Sequence, residues 1–163
     1  YTQHTTMPAQ YILDSFERFL IEDQANYDLS TKYSIDTKHT ACAHIIAEEP
    51  LIFSGGIIFK TVLKEYDVKL FIQDGEPCNT GDLIAQITAP AQLLLSYERI
   101  LLNLIQRLSG ISFLTAQYVQ TLNSSSIKIL DNFKINLNII LSHLELAEDG
   151  FLVLKLEKIC FGA

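Results

Sequence analysis

The stretch "PAQLLLSYERILLNLIQRLSGISFLTAQYVQTL", residues 90–122, constrains the fold more than any other part of the chain. Leu93, Leu94, Tyr97, Leu101, Leu104, Ile105 and Leu108 recur at the spacing of one helical face. The pattern predicts a long helix with Pro90 in its first turn, where a missing N–H costs nothing. Arg99, Asn103, Gln106 and Gly110 fall on a second line of the same helix. A helix that buries one stripe and carries an arginine, an amide and a glycine along another has a second surface to explain. Glycine on that line permits close approach or a bend.

The shorter segments before it alternate in type. Ile12, Leu13, Phe16, Phe19 and Leu20 in "PAQYILDSFERFLIED" (8–23) have helical spacing. "NYDLSTKYSI" (26–35) breaks the period and reads as a loop. "HTACAHIIAEE" (39–49) alternates as a strand does. "LIFSGGIIFKTVLKEY" has a Gly-Gly break at 55 and 56 followed by helical spacing, and "VKLFIQ" is a strand. "DGEPCNTGDLIAQITAP" reads as two turns around short strands, with Gly75 and Gly81 supplying the positive-φ corners. After the polar "NSSS" (123–126), "IKIL" is a short apolar strand with Asp131 at its C-terminal end. Helical spacing follows, then "FLVLKLEKI" and Gly162. The expected fold is an α+β N-terminal domain over residues 1–122, an antiparallel sheet with helices and a long helix. A fragment of an α/β barrel follows over 123–163.

Composition narrows the function classes. At 48% hydrophobic and 19% charged residues the chain is globular. Its mean hydropathy of +0.21 points to large buried surfaces, a subunit interface among them. The net charge of −7 and the lack of a basic stripe argue against nucleic acid. No apolar run is long enough to span a bilayer. Cys42, Cys78 and Cys160 are odd in number and far apart, with no metal spacing, and read as reduced, buried thiols of a cytoplasmic protein. The polar start "YTQHTTMPAQ" has no secretory pattern. His39, His44 and His143 have no partner at metal or triad spacing and read as ordinary histidines. The hairpin "DGEPCNTGDLIAQI" is similar to that of biotinyl and lipoyl carrier domains, but no modifiable lysine sits in a turn between its strands.

"YERILLNLIQRLSGISFLT" resembles a segment of the quinolinate phosphoribosyltransferase family, with matching positions at Glu98, Arg99, Leu102, Asn103, Leu108, Ser109, Gly110, Ile111 and Thr115. The family is also called nicotinate-nucleotide pyrophosphorylase (carboxylating). "IEDQANYDLST" is similar to a Glu-Asp…Gly-Asp-Leu-Thr region, with Tyr27 where glycine is usual. "EEPLIFSGG" and "DGEPCNTGDLIAQITAPAQLLLSYER" extend the resemblance, which covers residues 12–122. It implies phosphoribosyl transfer from phosphoribosyl pyrophosphate (PRPP) to quinolinate, with Mg²⁺ assistance and loss of carbon dioxide. The product would be nicotinate mononucleotide, for NAD synthesis. It also implies a homodimer or larger assembly, with Arg99 supplied in trans to the neighbouring subunit's quinolinate. A guanidinium suits a dicarboxylate because its planar fork pairs two oxygens at once.

Beyond residue 122 the resemblance thins. The family's Asp-Thr-Arg-Lys-Thr, Gly-Gly-x-x-x-His-Arg and Leu-Ile-Lys segments have no clear counterpart, and "ILDNFKI" fits in two ways. One places Asp131 to Lys134 on the Asp-Thr-Arg-Lys motif, with Phe133 in place of the arginine. The other, a longer run, places "LDNF" on a later Leu-Asp-Asn-Phe motif, where Asp131 would lie near the ribose hydroxyls and the metal. "CFGA" would then echo a phosphate-binding strand through Gly162 and Ala163. This second fit implies that a block of roughly a hundred residues is missing, since a barrel takes ~200 or more. Two other readings stand beside phosphoribosyl transfer. One is a catalytically inactive remnant or dimerisation module of the family. The other is a molybdenum-transport phosphoribosyltransferase-like protein, which the "ERILLNLIQRLSGIS" wording disfavours.

Overall fold

The computed structural model describes residues 7–23, 29–122 and 154–161. Its elements run α1 (Ala9–Glu22), α2 (Leu29–Ser34), β1 (Thr40–Ala47), β2 (Leu51–Ile52), α3 (Gly56–Val62), β3 (Asp67–Leu70), β4 (Pro77–Cys78), β5 (Leu83–Pro90), α4 (Ala91–Leu122) and β6 (Leu154–Phe161). The α+β character expected of the N-terminal part is what the chain adopts. The expected barrel segments "IKIL" and "DNF" lie outside the described residues.

Four strands form an antiparallel sheet in the order β3-β5-β1-β6, and β2 pairs with β4 in a second, small ladder. The alternation read in "HTACAHIIAEE" is the pleat of β1. Ala41, Ala43, Ile45 and Ala47 are buried, while Cys42, His44 and Ile46 face the other side and are half-buried. β5 repeats this with Ala85, Ile87 and Ala89 inside. So many alanines on one face leave a shallow surface that helices can approach closely, and α4 packs across β1 and β5 there. Of the predicted stripe of α4, Leu94, Leu101, Leu104, Ile105 and Leu108 are buried, joined by Ile100, while Leu93 and Tyr97 are half-buried against the core. Ile12, Phe16 and Phe19 of α1 and the fully buried Phe53 and Phe59 complete the core. Each aromatic burial contributes roughly 1.5–3 kcal/mol.

The turns behave as their residues require. Gly75 and Gly81 sit at φ 90° and 89°. Gly75 N–H donates to the Phe53 carbonyl and Gly81 N–H to that of Ala47, each at 2.8 Å. Two local expectations are corrected. Residues 29–34, read as loop, form the short helix α2. It has too few residues to show a period, and it is followed by a tether from Gln92 Nε2 on α4 to the Ile35 carbonyl at 2.7 Å. Pro90 is the last residue of β5, opposite Thr40, rather than the first turn of the helix. The helix begins one residue later, where Ala91 N–H donates to the His39 carbonyl at 2.9 Å.

The C-terminal strand β6 extends the same sheet. It runs antiparallel along β1, with Ala41 opposite Phe161, Cys42 opposite Cys160 and His44 opposite Lys158.

Candidate functional site

Arg99 lies where α4 passes the end of α1. Phe16 of α1 meets Tyr97 of α4 edge-to-face, with ring centroids 5.1 Å apart, and this contact fixes the crossing. One turn beyond Phe19, Asp23 caps α1 through its N–H to the Phe19 carbonyl. Its carboxylate receives the Arg99 guanidinium at two points: Nη2 against Oδ1, and Nε donating to Oδ2 at 3.3 Å. An acidic residue at a helix C-terminus opposes the helix dipole, and α1 has no basic residue in its last turn. Arg99 therefore neutralises a charge that α1 cannot. Sequence reasoning missed this pairing; the unfavourable carboxylate at the end of a predicted helix was the signal available.

The Arg99 side chain remains 69% exposed even while paired. Asn103, one turn on, is also exposed, while Gln106 and Gly110 further along the line are half-buried. Beside Arg99, Glu98 is half-buried, and desolvation raises its carboxyl above the ordinary value.

The Ser109-Gly110 step answers to packing. Ser109 is fully buried, and its hydroxyl bonds both backbone groups of Ser54. The adjoining Gly-Gly break brings backbone against the helix: a Cβ on Gly55, whose φ is 122°, would collide with Ile105 Cδ1. Asp74 Oδ1 accepts from both Gly55 N–H and Gly56 N–H at 2.8 Å, closing the start of α3. Asp74 is a second residue that local pattern could not assign.

Farther along α4, Ile52, Ser54, Leu108, Ile111, Thr115 and Val119 line part of an open groove of about 560 Å³. None of its lining residues is charged. A dicarboxylate or a phosphate there would lose its hydration without a cation in return, so the groove does not suit either anionic substrate.

Asp131, Lys134, Gly162 and Ala163, expected near ribose, metal and phosphate, lie outside the described residues. Among the described residues, no group of three His, Cys, Asp or Glu side chains could hold a metal ion.

The family described as quinolinate phosphoribosyl transferase, N-terminal domain, matches residues 28–109. The chain belongs to this family. A Bacillus subtilis (strain 168) protein named probable nicotinate-nucleotide pyrophosphorylase (carboxylating) is 40% identical over 120 residues, covering 71% of this chain and 41% of that protein. The Mycobacterium leprae nicotinate-nucleotide pyrophosphorylase (carboxylating) is 28% identical over 128 residues, covering 74% of this chain and 45% of its own. The crystal structure of NadC from Streptococcus pyogenes superposes with a TM-score of 0.73 at 29% identity, covering 83% of this chain and 50% of that one. The chain thus spans about half or less of the quinolinate phosphoribosyl transferase relatives it matches. Among the described residues, no helix is long and apolar enough to cross a membrane.

Proposed function

We propose that this chain supplies the N-terminal half of a phosphoribosyl transfer site, acting in a homodimer or larger assembly that converts quinolinate and PRPP to nicotinate mononucleotide, pyrophosphate and carbon dioxide. The observation that carries this reading is Arg99, a guanidinium held at the outer edge of α4 by a partner it can leave. An ion pair this exposed is worth about 0–1 kcal/mol, so Asp23 orients the guanidinium without locking it. A dicarboxylate of a neighbouring subunit offers the same bidentate contact with a second negative charge behind it. Asp23 is then the resting partner and quinolinate the competing one.

The exposed apolar residues Leu114, Tyr118 and Val119 near the end of α4 support an assembly, since clustered apolar surface favours burial against other protein. Mg²⁺ would assist departure of pyrophosphate, with Asp131 the acidic candidate to hold it. The reaction would take place in the cytoplasm, as part of NAD synthesis.

The test is turnover of quinolinate and PRPP with Mg²⁺, followed as formation of nicotinate mononucleotide. Product formed in proportion to protein is the expected result. No product and no quinolinate binding would overturn the reading. If a stable oligomer nevertheless formed, the apolar surface of α4 would favour a dimerisation module.

A further inference from the structure

We propose that Cys42 and Cys160 form a reversible redox pair, a cross-strand disulfide that staples β6 to β1. The register carries the inference. The two cysteines are direct partners on adjacent antiparallel strands, in the regular part of the ladder before its shift between His44 and Ile45. Directly opposed residues in such a ladder have Cα atoms about 4.5 or 5.5 Å apart and occupy one face of the sheet. A disulfide requires roughly 4.4–6.8 Å between Cα atoms, so the register places this pair within the reach of one.

The position also suits exchange chemistry. Cys42, expected to be buried, is instead on the half-buried face of β1, away from the alanine-lined core, because the pleat turns it from the side that α4 covers, and small reagents can reach it. His44 follows two residues later on the same face, with Nε2 3.8 Å from Cys42 Sγ, within hydrogen-bond range for sulfur. Cys78 differs: it is buried, and desolvation is the first cause raising its thiol above the ordinary value. A protonated, enclosed thiol does not exchange.

The oxidant is a small-molecule disulfide. The Cys42 thiolate attacks one of its sulfurs, forming a mixed disulfide and expelling the other half as a thiolate. The Cys160 thiolate then attacks the Cys42 sulfur, forming the cross-strand bond and expelling the second half. Two protein thiols lose two electrons and two protons; the small disulfide gains both and becomes two thiols. Closing a loop from residue 42 to residue 160 removes much of the freedom of the unfolded chain.

The test uses the purified chain equilibrated in oxidised and reduced glutathione, trapped with iodoacetamide and mapped by peptide mass without reduction. The expected product is a Cys42–Cys160 peptide pair, with Cys78 alkylated only after unfolding, and with reversal by dithiothreitol. Oxidation should raise Tm by on the order of 10 °C. Cys42→Ser and Cys160→Ser should each abolish both the crosslink and the rise, while Cys78→Ser keeps both. A stable glutathione adduct on Cys42 beside an alkylated Cys160 would overturn the proposal. So would a crosslink that leaves Tm unchanged.

Discussion

One hydroxyl on α4 serves both backbone polar groups of a residue in the neighbouring loop: Ser109 Oγ accepts the Ser54 N–H at 3.1 Å and donates to the Ser54 carbonyl at 3.3 Å. Ser109 is fully buried, so removing its hydroxyl strips the Ser54 backbone of its partner on α4. Ser109→Ala should lower unfolding free energy by about 1–3 kcal/mol, the cost of stranding such groups. Urea titration should show a lower midpoint at unchanged slope. An unchanged midpoint would mean that water reaches Ser54 and the contact is dispensable.

The same loop should be intolerant at Gly55. Alanine there meets Ile105 Cδ1, and its φ of 122° is left-handed territory in which side chains are strained. Ile105 is fully buried, so its terminal methyl would have to move within the core. Gly55→Ala should therefore cost about 1–3 kcal/mol, whereas Gly75→Ala, with open space around its Cβ, should cost only the backbone part. Equal losses in thermal unfolding of the two variants would remove the packing argument.

Glu98 should give the folded protein an uncommon pH response. Burial raises its folded carboxyl above the ordinary 4.5. Between that value and the raised one, the folded state binds more proton than the unfolded state. Stability then falls as pH rises through the window. Glu98→Gln should be more stable than the parent near neutral pH, and the difference should close as pH drops to 4.5. Urea midpoints across this range decide the matter; a pH-independent difference would contradict it.

Asp23 orients Arg99 and does little for the fold. With Arg99 largely exposed, Asp23→Asn should change stability by less than about 1 kcal/mol. A loss above about 2 kcal/mol in chemical denaturation would make the pair structural and weaken its reading as a resting contact.

What was legible in the sequence is what local periodicity writes. The stripe of α4 from Leu94 to Leu108, the alternation of β1 and the glycine corners at 75 and 81 follow from pitch, pleat and φ, each set by near neighbours. The resemblance carried by Glu98 to Thr115 agrees with the family to which the chain belongs. The partners were illegible. Asp23 and Arg99 are 76 residues apart, and Ser54 and Ser109 55 apart. No window of sequence reports such pairs. The same holds for β6: its place beside β1 depends on edge hydrogen bonds, which are common to every strand.

Arg99 is the residue most open to direct test. Calorimetric titration of quinolinate into the parent protein, Arg99→Ala and Arg99→Lys, each shown by circular dichroism to be folded, measures its role. Arg99→Ala should bind at least on the order of tenfold to a thousandfold more weakly, as expected for loss of one partner of a charge pair. Arg99→Lys should fall between, because an ammonium keeps the charge and loses the fork. Equal affinity in all three proteins would contradict the account.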